Sequence, residues 1–245
     1  MKTLVRLNVP AVLFACLVIS GAALSQQSDT PPGVPATGGI RGRITFANGP
    51  ADEHAHAIIM GRYGDHGTKA ASPMPHAEDT VKIRMSENTV VYLTDDELDH
   101  GTYQLPGKNP VLNQRGLQFH PHVLPILARS TVDFPNRDNL FHNVFSYSQT
   151  KEFDLGRYPL DDSRSVTFDR PGVVRVYCDI HAHMNATILV LRNPYFTVPD
   201  DNGVYRLMDV PEGKHTLVVW HDRDIAGRVT IEIRAGRIIE QDLTF

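Results

Sequence analysis

Cysteine is almost absent from this chain. It occurs twice in 245 residues, at positions 16 and 178. Cys16 lies in an apolar leader, so once that leader is removed Cys178 stands alone and an intrachain disulfide framework is excluded. Charge of one sign is also missing. There are 24 basic and 28 acidic residues, a formal net charge of −4, with no basic stripe of the kind a nucleic acid would demand. After residue 24 no long apolar run remains, and no segment carries convincing helical periodicity, which excludes a helical bundle. No nucleophile elbow, phosphate loop or zinc-protease motif is present, so the common hydrolase and nucleotide-dependent classes have no support. The acid pairs Asp95/Asp96, Asp161/Asp162 and Asp200/Asp201 sit in turns, where aspartate hydrogen-bonds locally, and none reads as a catalytic dyad. The single tryptophan, Trp220 in LVVWHD, reads as core packing at a strand end.

What is there begins with MKTLVRLNVPAVLFACLVISGAALSQQ. Lys2 and Arg6 precede an apolar run from Val9 to Leu24, and Ala23 and Ser25 suit cleavage before Gln26. This is the layout of a secretory signal peptide over residues 1–25, and it predicts a periplasmic or secreted protein. A retained anchor is disfavoured because the run is barely long enough to span and no charge cluster follows, so no stable membrane insertion is expected after cleavage. Removal of the leader moves the formal charge from −4 to −6. Residues 26–38, rich in Pro, Gly, Ser and Thr, read as a flexible leader.

Almost every later segment has strand character. IRGRITF, TVVYL, STVDFP, HNVFSY, SRSVTF, GVVRVYC, ATILVL, KHTLVVW and RVTIEI are short, rich in β-branched or aromatic residues, and punctuated by turns such as NGP, PDDNG and PEGK. The class is all-β, in sandwiches. Two stretches break the pattern. Residues 51–79 read as an irregular insertion, and residues 94–116 as a linker in which DDEL forms one helical turn.

In GVVRVYCDIHAHM an alternating strand stops at a ligand-rich loop. Cys178, His181 and Met184 form Cys-x2-His-x2-Met, and a tight loop of that length turns all three side chains towards one point. Soft sulfur ligands combined with imidazole select copper; two histidines and a cysteine in a plane, with a weak axial methionine, make an electron-transfer site. The second histidine has to come from a neighbouring strand. His142 in DFPNRDNLFHNVFS is the candidate, and Asn143 beside it is placed to hydrogen-bond across to the cysteine loop. The plain alternative is a buried structural thiol with surface histidines.

FHNV together with YCDIHAHM, over roughly residues 108–192, resembles the cupredoxins, and the loop spacing is similar to that of amicyanin. Across its whole length the chain also looks like bacterial secreted proteins described as plastocyanin-like or methylamine utilization proteins. This resemblance implies a Greek-key sandwich over 108–192, one type 1 copper held by His142, Cys178, His181 and Met184, and a redox partner protein. His183 competes with His181, because other cupredoxin loops place the histidine five residues after the cysteine. Such loops then carry a methionine further on, where this chain has Thr187, so His181 is favoured. Enzymes of the family flank the cysteine with histidines wired to a second copper. Tyr177 and Asp179 stand there instead, and the expectation is a carrier, not an enzyme.

GGIRGRITFANGPA and TVVYL near the front, with PDDNGVYRLMDVPEGKHTLVVW and GRVTIEIRAGRIIEQDLTF at the end, resemble the carboxypeptidase regulatory-like, transthyretin-like sandwich. That implies a second, smaller sandwich made discontinuously from residues 39–95 and 195–245, with two sandwiches in series as the alternative. Further histidines offer accessory metal sites. His54 and His56 stand with Met60, His66, Met74 and His76 in an exported His/Met-rich stretch that suits loosely held copper or zinc. His120 and His122 lie two apart on one strand face, with Pro121 between them suggesting an edge and a structural role. A copper-trafficking or cell-envelope interaction module is therefore the competing reading.

Overall fold

The computed structural model describes residues 36–46 and 84–245. The signal peptide, the leader up to residue 35 and the insertion with His54 and His56 lie outside the described residues. The first strand, β1 (Thr37–Thr45), begins two residues inside the segment read as leader, because Thr37 and Gly38 pair with Pro211 and Val210. A single-turn helix α1 (Met85–Asn88), β2 (Thr89–Thr94) and a second helical turn, α2 (Asp96–Asp99), follow; α2 is the DDEL piece, capped by Asp95 accepting from Leu98 N–H.

The middle of the chain contributes β3 (Asn113–Arg115), β4 (Gln118–His120), β5 (Val123–Leu127), β6 (Thr131–Pro135), β7 (His142–Ser148) and β8 (Lys151–Tyr158). It continues with β9 (Ser163–Thr167), β10 (Gly172–Tyr177) and β11 (Asn185–Leu191). The last part adds β12 (Phe196–Thr197), β13 (Val204–Pro211), β14 (Gly213–His221), β15 (Asp224–Ile233), β16 (Ile238–Glu240) and β17 (Leu243–Thr244). No helix among the described residues is long and apolar enough to cross a membrane.

The strands form two sandwiches. In one, a five-stranded sheet ordered β5-β11-β10-β7-β8 packs against the β6–β9 pair and the β3–β4 hairpin. Its core includes Phe119, Phe134, Val144, Val174, Val176 and Ile188. In the other, β13-β1-β16, with β17 also on β1, faces β12-β2-β14-β15 around Ile40, Leu93, Tyr205, Leu207, Leu217 and Ile233. Strands from both ends of the chain share this second core, since β1 pairs with β13 and β2 pairs with β14. The PDDNG turn makes the close approach workable. Asp200 accepts from Asn202 and Val204 N–H, and Gly203 takes a left-handed φ of 77° where a side chain would strike the Ile44 carbonyl.

The strands that lack polar alternation explain how the sandwiches join. In β11 the side chains of Ala186, Ile188 and Val190 enter one core while Leu189 and Leu191 face the other way. There they meet Val90 of β2, Val123 of β5 and Trp220 of β14 in a third buried cluster. A strand covered on both faces must be apolar throughout, which is why ATILVL, TVVYL and LVVW read as runs. Polar groups close the rim. Arg175 donates to the Thr187 hydroxyl and to the Arg223 carbonyl, both at 2.6 Å, and its guanidinium lies 5.9 Å from the Trp220 ring centre. His122 Nε2 donates to Asp222 at 3.2 Å.

Trp220→Ala removes the largest side chain of this junction and is expected to cost about 3–5 kcal/mol in denaturant unfolding. The hydrogen bond from His122 holds the Asp222 carboxyl below its ordinary range, against the opposing pull of partial burial. A depressed folded value contributes stability above the unfolded pKa and loses it as pH falls through the folded value. The stability gap between the parent and Asp222→Asn is therefore expected to hold through neutral pH and close below about pH 4, followed by unfolding at stepped pH.

Candidate metal centre

The β10–β11 hairpin builds the centre. Its loop closes on itself: Cys178 N–H donates to the Met184 carbonyl at 3.2 Å, and Met184 N–H donates to the His181 carbonyl at 2.9 Å. Cys178 and Met184 are 4% and 1% exposed and pack within one apolar core. His142 opens β7, where period-two alternation points His142, Val144 and Ser146 inward. It is fully buried.

The donor atoms converge. His142 Nδ1 lies 3.0 Å from His181 Nδ1, and Cys178 Sγ lies 3.8 Å from the same atom. Among the described residues, this is the group of His, Cys, Asp and Glu side chains whose ligand atoms all fall within 4.8 Å of one another. His142 Nε2 is 2.8 Å from Asp138 Oδ2, so that nitrogen carries the hydrogen and Nδ1 turns its lone pair inward. A trigonal set of two nitrogens and one sulfur around a metal of zinc-like radius has edges of about 3.5 Å between nitrogens and about 3.8 Å from nitrogen to sulfur. The His142–His181 edge needs to open by roughly half an ångström and the His181–Cys178 edge already matches, and two imidazoles with a thiol suit a soft divalent or monovalent ion.

Supporting residues fix the donors. Asp138 accepts from His142, from Gly116 N–H at 2.6 Å and from Leu117 N–H at 2.9 Å. Those amides converge because Gly116 and Leu117 both adopt left-handed φ, 64° and 60°, in the two-residue turn between β3 and β4. The buried amide of Asn136 accepts from Asp138 N–H and donates to the Leu140 and Tyr158 carbonyls. Burial acts to raise the Asp138 carboxyl, but the hydrogen bonds from Leu117, His142 and Gly116 together hold it below the usual range. Asn143 accepts from Asp179 N–H at 3.2 Å and donates to Asp154 at 2.7 Å, tying the loop to β7 and β8. Arg157 pairs with Asp179 at 2.9 Å from the same side. Burial, then the neighbouring His142 and His183, lower His181 below the ordinary imidazole range, which keeps it a neutral donor.

His183 is exposed, with its ring centre 6.3 Å from that of His181, and stays outside the convergent group. His120 and His122 are not brought together. His120 faces Glu87 at 3.5 Å and His122 faces Asp222, so both serve the junction between the sandwiches. Asp138 was not reached by sequence reasoning. Its only signal is an aspartate four residues before His142, in DNLFH, and nothing local shows that the intervening chain turns back.

No family model and no curated protein matches this chain. Among solved structures it is similar to the Cu-containing nitrite reductase (NirK) from Thermus scotoductus SA-01, at 26% identity over 37% of this chain and 24% of that one, with a TM-score of 0.33. It is similar to a proline-to-alanine mutant of amicyanin in its oxidized state at 19% identity over 36% of this chain and 86% of that one, TM-score 0.33. A purple cupredoxin from Nitrosopumilus maritimus matches at 21% identity over 34% of this chain and 99% of that one, TM-score 0.31. The chain thus spans about a quarter of the nitrite reductase.

Asp138→Ala frees the His142 ring and is expected to weaken metal affinity about 10- to 100-fold, whereas His183→Ala should leave it unchanged. Competition with a chelator of known strength measures both.

Proposed function

We propose that His142, Cys178 and His181, with Met184 as weak axial ligand, hold one type 1 copper, and that the exported protein carries single electrons between redox partners. The observation that supports this reading is the convergence of two imidazole nitrogens and a buried thiol on one point. Bound copper would supply a one-electron couple. The chain's part is to keep the donors in place through both oxidation states. Asp138 and Asn143 fix His142 and the cysteine loop, and core packing fixes Cys178 and Met184.

His181 is the least buried of the three donors, and its outer edge is the electron port in this reading. Leu140, Phe141 and Ile180, exposed next to the ligand-bearing segments, supply an apolar rim suited to brief docking with a redox partner. Tyr177 and Asp179 flank Cys178, which gives no histidine bridge to a second metal and favours a carrier over an enzyme. Export to the periplasm or beyond rests on the leader over residues 1–25. The competing reading, copper trafficking, draws on the His/Met-rich stretch from His54 to His76.

A Cu(II) titration of the mature protein, read by visible absorption and electron paramagnetic resonance, is expected to give an intense blue band saturating at one equivalent. Cys178→Ser should abolish the band. Colour that survives this change sinks the type 1 assignment, and several weakly absorbing equivalents favour trafficking.

A further inference from the structure

The carboxyl group of Asp138 is met by hydrogen-bond donors alone. Its Oδ2 accepts from His142 Nε2–H at 2.8 Å and from Leu117 N–H at 2.9 Å, and its Oδ1 accepts from Gly116 N–H at 2.6 Å. Two oxygens facing three donors suit the ionised form, because a carboxylate only accepts whereas the acid has a hydrogen of its own to place. An asparagine in the same pose turns an N–H towards one of those donors. The Asp138 side chain is 13% exposed and that of His142 is fully buried, so the charge acts largely through protein rather than water.

That charge has no cationic side chain set against it. Among the described residues the ion-pair contact of Asp138 is with His142, and no lysine or arginine lies within ion-pair distance of it. Arg137, its neighbour in the chain, pairs with Asp161 at 3.2 Å on the surface. Asp179, a second carboxylate beside the ligand loop, is 41% exposed and paired with Arg157 at 2.9 Å, so it is both matched and screened by solvent. Asp138 therefore presents an unmatched negative charge one imidazole ring away from the point where the donors converge. Positioning alone does not require this. A backbone carbonyl would hold the same tautomer of His142 without any charge.

Resting on the copper reading above, we propose that Asp138 sets the redox poise of the centre: acting through His142, it favours the oxidised form and lowers the reduction potential. A divalent ion with the Cys178 thiolate and the Asp138 carboxylate carries no net charge, whereas a monovalent ion leaves a net negative charge among buried groups, which is costly. The carboxylate also draws the Nε2 hydrogen, which makes Nδ1 of His142 a stronger donor. Both effects act in one direction. The carrier gives up its single electron to an acceptor protein more readily, and no atom is transferred.

The test compares the mature protein with Asp138→Asn and Asp138→Ala, measuring Cu(I) and Cu(II) affinities by chelator competition and the potential by redox titration. Asp138→Asn keeps the size of the side chain and an oxygen for His142, and removes the charge. Its blue band is expected to persist, with Cu(II) affinity falling at least tenfold more than Cu(I) affinity, which is a potential raised by at least about 59 mV. A role confined to holding the ring lowers both affinities alike and leaves the potential unmoved. Asp138→Ala has no amide to press on the β3–β4 turn, so it stays informative if Asp138→Asn perturbs folding, and its potential should move the same way. A parental potential in either folded variant, with the parent blue, overturns this proposal alone. A parent with no blue band overturns the copper reading and this proposal with it.

Discussion

Burial of β11 on both faces is the constraint on which the rest of the molecule depends. One face, Ala186, Ile188 and Val190, completes the core that also takes in Cys178 and Met184. The other, Leu189 and Leu191, meets Trp220 and Val90 of the second sandwich. Parallel pairing with β5 and antiparallel pairing with β10 leave neither edge of β11 free. A strand so enclosed cannot slip by one residue without driving every side chain into the wrong core. The loop that precedes it, from Cys178 to Met184, is therefore held at its far end by a strand paired on both edges and buried on both faces.

That rigidity reaches the donor atoms through hydrogen bonds as well as packing. His142 is set by a carboxylate, the carboxylate by two amides of the β3–β4 turn, and the backbone of Asp138 by the buried amide of Asn136. Each link satisfies a polar group that would otherwise be costly to bury. Under the copper reading proposed above, ligands held in this way would have little freedom to follow a metal whose charge changes.

The second sandwich is fixed to the first rather than tethered to it. Its β14–β15 turn is gripped by Arg175, two residues before Tyr177 and within the strand that delivers Cys178. His120 and His122, which as a sequence pair suggested a metal site, spend their nitrogens on Glu87 and Asp222 across this join. Their spacing predicted one strand face, but β4 ends at His120 and β5 begins only at Val123, and the carboxylates that claim them lie 33 and 100 residues away in sequence.

How much was legible follows from what is local. Strand alternation, turn residues and the Cys178–His181–Met184 spacing are properties of short stretches, so the all-β class and the ligand-bearing loop could be read from the chain alone. His142 and Asn143 entered as candidates because a strand start beside a His-Asn pair is also a local pattern. Asp138 could not be found that way, since its role depends on a turn of β3–β4 folding against it. Thr187, standing where a later methionine would fall, already favoured His181 over His183 in the sequence, and the structure brings His181 into the convergent group while His183 stays exposed. Residue types and spacings determined which groups were on offer; long-range pairing decided which of them meet, because a donor's direction is set by the elements packed around it.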